Sequence, residues 1–278
     1  DVALLTAWLQ RPEVSAAVYE VNISMNPIGV DGAKALGDVI SGSSLKCLII
    51  GPKGTRLPVN DGDVTELNFQ GQEFGPAEVT LVAAATSTLA GVVSVNCLAN
   101  HFGDEGLATL LTAIEGTSVR SLCGLTEGQT TADFSGQNLS PIDCKIMKAE
   151  YDFCGFIAAL NLLTLDSTGD MRKQKTYTLT AGEKKVDLSS KSLGPADCHL
   201  LVAWLQQPEV SAGVARVVLS GNAITNGDKD LSGLTTLCEA LPAAKNLTAI
   251  DFSNCGIEVK GVNEIAKAVS AGAALASG

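Results

Sequence analysis

Residues 4–28, LLTAWLQRPEVSAAVYEVNISMNPI, return as residues 200–224, LLVAWLQQPEVSAGVARVVLSGNAI. Sixteen of the 25 positions are identical, where chance gives about one or two. The chain is therefore built by duplication. A repeating chain folds as units that each bury a face on the next one. Shorter echoes fill the interval. The pattern apolar-x-apolar-x-x-Asn-x-apolar occurs as VNISMNPI (21–28), VNCLANHF (95–102) and VVLSGNAI (217–224). Gln, Lys or Cys takes the Asn slot in LNFQGQEF (67–74), ADFSGQNL (132–139), VDLSSKSL (186–193) and IDFSNCGI (250–257). A plainer form reads LKCLIIG (45–51), VRSLCGL (119–125) and LNLLTLD (160–166).

The apolar-x-apolar segment has period two, which predicts a short strand with one buried face. The slot residue follows where the chain leaves the strand. A buried amide there bonds backbone groups of its own and neighbouring turns, which offsets the cost of burying it. Repeated, these residues form a ladder: Asn26, Gln72, Asn100, Gln137, Asn222 and Cys255. Segments such as GVDGAKALGDVI (29–40) and GDEGLATLLTAI (103–114) then place apolar residues three and four apart, a helical stripe. Asp31 and Asp104 are expected as helix caps, and Pro76, Pro141 and Pro195 suit first-turn positions.

Strand, turn and helix recurring every 27–33 residues resembles the leucine-rich repeat family, and the long helical units resemble its ribonuclease-inhibitor subclass. The resemblance covers essentially the whole chain. It implies an α/β solenoid with a curved parallel sheet on the concave side and helices on the convex side. It also implies partner binding on the concave face. Three links, between Ile50 and Phe69, Gly124 and Phe134, and Ser167 and Leu188, are too short for a full unit and rich in turn residues. These are expected to form loops or small hairpins on the convex side. The last link is basic, with Arg172, Lys173, Lys175, Lys184 and Lys185. It reads as a contact loop or as a solvated hairpin.

Alternation along the strands assigns the side chains that point away from the core. Asn22, Asn68 and Asn96 make the first half of that face amide-rich, and Asp133, Asp166, Asp187 and Asp251 make the second half acidic. The expected function is non-catalytic recognition of a protein partner, with a basic segment docking on these residues. Adjacent strands lie about 4.8 Å apart, so neighbouring carboxylates repel unless a cation or a basic ligand offsets them. The plain alternative is a solvated sheet face.

Composition excludes several classes. Lys and Arg number 19 against 30 Asp and Glu, a net charge of −11, which argues against nucleic-acid binding. No apolar run is long enough for a transmembrane helix. No nucleotide loop, zinc-protease motif or nucleophile elbow occurs, so neither enzyme activity nor a cofactor is expected. His101 and His199 stand beside no identifiable nucleophile. The turns NDGD (60–63) and NGDKD (226–230) do not follow EF-hand spacing. None of the eight cysteines forms a C-x-x-C pair. They read as buried thiols acting as small apolar groups, which favours an intracellular location over a secreted one. Trp8 and Trp204 hold equivalent places and read as fillers between repeats or as partner anchors.

The whole chain, residues 1–278, reads as a single array. Asp1 aligns with Asp197, inside a repeat, and 269–278 aligns with 39–48, where a strand falls due. A fragment cut mid-repeat at both ends is the expectation, with the AWLQ helix as a degenerate cap the alternative. Open ends also suit a second role, a structural subunit held by end-to-end neighbours in a larger assembly. A ligand sensor or enzyme regulator is the weaker third reading.

Overall fold

The computed structural model describes residues 2–271. The strand start expected near the C-terminus falls outside them. The chain forms two compact units, residues 1–126 and 127–278.

The first unit runs α1 (Val2–Leu9), α2 (Pro12–Ser15), β1 (Glu20–Asn22), α3 (Gly29–Ile40), β2 (Cys47–Ile50), β3 (Thr55–Pro58), β4 (Glu66–Asn68), α4 (Pro76–Thr86), β5 (Ser94–Asn96) and α5 (Gly103–Ile114). The second runs β6 (Thr131–Asp133), α6 (Pro141–Asp152), a 3-10 turn (Phe156–Ala159), β7 (Leu162–Asp166), β8 (Thr176–Thr180), β9 (Lys185–Asp187) and α7 (Pro195–Leu205). It continues with α8 (Pro208–Ser211), β10 (Arg216–Val218), α9 (Ser232–Ala240), a 3-10 turn (Leu241–Ala243), β11 (Ala249–Asp251) and α10 (Val259–Ser270).

Most strands are three residues long because the repeat supplies one inward residue between two outward ones. Val21, Leu67, Val95, Ala132, Val186 and Val217 are those inward residues, and all are buried. Repeat strands pair in parallel: Val21 opposite Leu48, Leu67 opposite Val95, Ala132 opposite Leu163, and Val217 between Val186 and Ile250. The helices pack side by side, α1 on α3, α3 on α4 and α4 on α5 in the first unit. In the second, α6 packs on α7, α7 on α9 and α9 on α10.

Among the described residues the strands form four small sheets, β1-β2-β3, β4-β5, β6-β7-β8 and β9-β10-β11. The two hairpins differ from expectation in place. β3 returns antiparallel on β2, with Leu57 opposite Leu48, and β8 returns on β7, with Leu179 opposite Leu163. They extend the sheets and do not lie on the helical side. The reason is that each returning strand has its own inward residues: Leu57, Tyr177 and Leu179 are buried. The basic insert is therefore largely the second hairpin.

Pro76, Pro141 and Pro195 each open a helix, α4, α6 and α7. Asp31 and Asp104 do not cap. The N-cap positions of α3 and α5 are Ile28 and Phe102, and the aspartates stand in the first turn, where their charge suits the helix dipole.

Candidate protein-recognition face

Six of the seven outward Asn and Asp residues share one local role. The side-chain oxygen of each accepts the backbone N–H two residues on, an Asx turn that ends the strand. In the first unit Asn22 accepts from Ser24 at 3.0 Å, Asn68 from Gln70 at 3.1 Å and Asn96 from Leu98 at 3.1 Å. In the second unit Asp133 accepts from Ser135 at 2.9 Å, Asp187 from Ser189 at 3.2 Å and Asp251 from Ser253 at 2.9 Å. The Asx turn uses one oxygen or one face of the group, and the rest projects outward. Asp133 and Asp187 are exposed and Asp251 is half-buried.

Asp166 is a correction. It is buried, and its carboxylate accepts the Gly136 N–H at 2.7 Å and the Thr176 hydroxyl at 2.7 Å. The expected role failed because β8 pairs alongside and places Thr176 opposite it. Asp166 ties the hairpin to the β6 turn and is not part of a binding face. Cys123 and Val218, outward by alternation, are also buried.

On the β9-β10-β11 sheet the outward residues fall into register. Lys185, Arg216 and Ala249 form one row, and Asp187, Val218 and Asp251 the next. The two aspartates are not adjacent: Val218 lies between them, so they flank it two strand spacings apart, about 9.6 Å. Lys185 Nζ donates to Asp187 at 2.7 Å. That bond, with those from Ser189, holds the Asp187 carboxyl down to about 2. Bonds from Ser253, with weaker help from Arg216, hold Asp251 below the usual carboxylate range, and Ser135 does the same for Asp133. All three are anions at neutral pH.

The ladder splits by neighbour. Asn100 is buried, donates to the carbonyls of Phe69 (2.8 Å) and Cys97 (3.0 Å), and accepts the Phe74 N–H at 2.9 Å. Asn222 does the same with Leu188 (2.8 Å), Leu219 (2.7 Å) and Leu193 (3.0 Å). Cys255 donates its thiol to the Leu219 carbonyl at 3.1 Å. Gln72 does not bond the preceding strand this way. Gln72 accepts the Thr55 hydroxyl of the hairpin at 2.6 Å, and Gln137 bonds its own Asp133 carbonyl at 3.4 Å. Asn26 is exposed and, among the described residues, donates to Ile23 and Ser24.

Three buried or half-buried carboxylates add a role that the sequence pattern did not disclose. Glu78, Asp143 and Asp197 each sit third in a helix and accept the N–H of the residue before the opening proline: Gly75 at 2.9 Å, Ser140 at 2.7 Å and Gly194 at 2.8 Å. Asp197 also accepts from the Thr168 hydroxyl (2.9 Å) and the Tyr177 hydroxyl (3.0 Å), which joins the hairpin to α7. Burial pushes its carboxyl up, against the pull of those donors. The shared spacing Pro-x-Asp/Glu is the signal that could have found them. Gly169 and Gly194 meet backbone to backbone here. A Cβ on Gly169 would lie 2.5 Å from the Gly194 nitrogen.

The turns considered for cations have other work. Asn60 donates to the carbonyls of Ile40 (2.8 Å) and Leu45 (2.9 Å), closing the end of α3. Asp228 accepts from the Glu258 (3.1 Å) and Gly261 (3.0 Å) N–H groups at the start of α10. His199 faces Lys145, Lys148 and Asp230. Burial first, then the two lysines, lowers its pKa. Seven of the cysteines are buried and Cys154 is exposed.

Strand, Asx turn, ladder residue and helix together define a strand-turn-helix repeat protein. The family model described as Leucine Rich repeat matches at two places, residues 20–37 and 243–266. These are β1 with most of α3, and β11 with the first two turns of α10. The matches support a leucine-rich repeat protein. No curated protein matches the chain. No helix among the described residues is long and apolar enough to cross a membrane.

Proposed function

We propose that the chain is a non-catalytic protein-recognition module, and that the outward face of the β9-β10-β11 sheet receives a basic side chain of its partner. Leucine-rich repeats commonly mediate protein–protein interaction, which supports the general role. The observation that carries the finer reading is the register of Asp187 and Asp251 on either side of Val218. A guanidinium or ammonium placed over the middle strand meets a carboxylate on each side. Lys185 and Arg216, one row over, repel a second cation and attract an acidic neighbour, so they set the direction of the docked segment. Asn22, Asn68 and Asn96 offer amide contacts in the first unit, and Asp133 adds a charge beside Thr164 in the second.

The reading takes each unit as an arc of a ribonuclease-inhibitor-like solenoid in a reducing, intracellular setting. Parallel strand-turn-helix units support the first part, and thiols packed among core residues support the second.

The test is crosslinking pull-down of the native protein from its source lysate at low and high salt, with partner contacts mapped by mass spectrometry. The reading expects a basic partner segment crosslinked near Asp187 and Asp251 and released by high salt. Partners that contact only the helical faces, indifferent to salt, would contradict it.

A further inference from the structure

The internal duplication writes one short segment twice, with a single change of charge. Arg11, Pro12 and Glu13 begin α2, and Gln207, Pro208 and Glu209 begin α8. The local backbone is the same in both copies. The residue before the proline has φ −68° and ψ 132° at Arg11, and φ −63° and ψ 134° at Gln207. In the first copy this geometry brings the Arg11 guanidinium to 2.8 Å from the Glu13 carboxylate. In the second copy the cation is gone. Gln207 turns its amide to the Ala203 carbonyl at 3.2 Å, and Glu209 has no ion pair among the described residues.

Glu209 stands on the rim of a cleft of about 380 Å³ between α8, the 3-10 turn Phe156–Ala159 and the residues beside β7 and β8. Small-molecule sites run from about 300 to 1,000 Å³. All the residues around this one belong to the second unit, between 158 and 210. Leu160 and Val210 are buried and form its floor. Ala158, Ala159 and Ala181 put nothing larger than a methyl group on its walls. Those walls are held by the main chain: the Asn161 N–H donates to the Thr130 carbonyl at 2.7 Å, and the Ala181 N–H to the Asn161 carbonyl at 2.8 Å. A cleft fixed in this way costs little to order when a ligand enters.

We infer that this cleft binds a guanidinium or ammonium group on a short apolar stem. The cation takes the place that Arg11 fills in the first copy and pairs with Glu209. The stem covers Leu160 and Val210 and removes their exposed remainder from water. The same carboxylate turns anions away, and a neutral ligand leaves it without a charged partner. The group can be carried by a free small cation or by a side chain of a peptide, and the test separates the two. The cleft lies where the strands of the repeats begin, whereas Asp187 and Asp251 end theirs, so either proposal can fail alone.

The test titrates the isotope-labelled full chain at low salt and follows its amide shifts. The probes are n-butylguanidinium, its neutral isostere n-butylurea and a blocked Gly-Arg-Gly tripeptide. Saturable shifts confined to the amides around the cleft are expected with butylguanidinium, with the tripeptide or with both, and the tighter of the two identifies the carrier. Butylurea should bind about threefold more weakly or not at all. Glu209→Gln should weaken the cation by about threefold or more and leave butylurea unchanged. Gln207→Arg writes the ion pair of the first copy into the second and should weaken the cation as much. Glu209 is exposed and Gln207 half-buried, so both variants should keep the thermal midpoint of the parent. Asp187→Asn/Asp251→Asn should leave the shifts around the cleft as they are in the parent. A chain with a net charge of −11 also gathers cations loosely, but such shifts are spread over the surface and do not saturate. Lack of saturation at the cleft, equal binding of butylurea, or unchanged affinity in Glu209→Gln would overturn the inference.

Discussion

A single buried amide, Asn100 or Asn222, ties two of the repeats to the ones before them. Asn222→Ala would leave the Leu188 carbonyl and the Leu193 N–H without partners inside the protein. We expect a loss of about 2–4 kcal/mol by urea denaturation. Asn26→Ala, at the same place in the repeat but exposed, should cost less than about 0.5 kcal/mol. Equal losses would show that the ladder is not what joins the repeats. The slot was legible in the sequence as a position, but the partner of each slot residue was not. Asn222 meets a strand carbonyl and Gln72 a hairpin hydroxyl, and that is a fact of pairing. Acid separates two kinds of aspartate. The folded carboxyl of Asp187 lies below its ordinary 3.8, so its contribution to stability is present above that value and fades as pH falls toward about 2. Asp187→Asn should flatten acid unfolding in that window. Asp197 has the opposite sign: its carboxyl is raised by burial, so its cost is present above the raised value and relieved as pH falls through it. Asp187 is exposed, so the first effect is small.

The helices show how one apolar pattern serves two environments. α7 and α1 share the AWL core of the duplicated segment, yet Trp204 is enclosed and Trp8 is not. Trp204→Ala should cost about 3–5 kcal/mol through the cavity it leaves. Trp8→Ala should cost about 1 kcal/mol or less, since only part of the ring is buried. Acrylamide quenching in the single-tryptophan variants checks the premise: Trp8 should be quenched several times more readily than Trp204. The period-three-and-four stripes and the opening prolines made the helices readable. The hairpins were readable as interruptions, but their side of the sheet was not. Thr55–Pro58 and Thr176–Thr180 carry inward leucines in ordinary alternation, and a turn-rich link masks them. The same pairing explains Asp166. From the sequence it matches Asp133 and Asp187, and only β8 alongside makes it a buried tie.

At the scale of the whole molecule, the proposed function rests on which outward residues the repeats leave exposed. Duplication and period disclosed the strand-turn-helix units, because burial demands them. The proposed recognition face was only half legible. Alternation found Asp133, Asp187 and Asp251, but each doubles as the Asx turn that ends its strand, so the sequence signal of a turn and of a binding row is the same. Lys185 and Arg216 were missed as members of the face because their register with the aspartates appears only when β9, β10 and β11 pair. The net charge of −11 adds a general pull on basic partners, so specificity must be separated from it. The most direct measurement is the affinity of the full chain, at several salt concentrations, for an arginine-bearing partner segment recovered by crosslinking. It is compared with Asp187→Asn/Asp251→Asn and with a control that removes two exposed charges elsewhere, Asp63→Asn/Glu127→Gln. The account predicts that the first pair loses about tenfold or more in affinity and most of the salt dependence, while the control stays near the parent. Equal losses in both would mean that bulk charge, and not the pair Asp187 and Asp251, binds the partner.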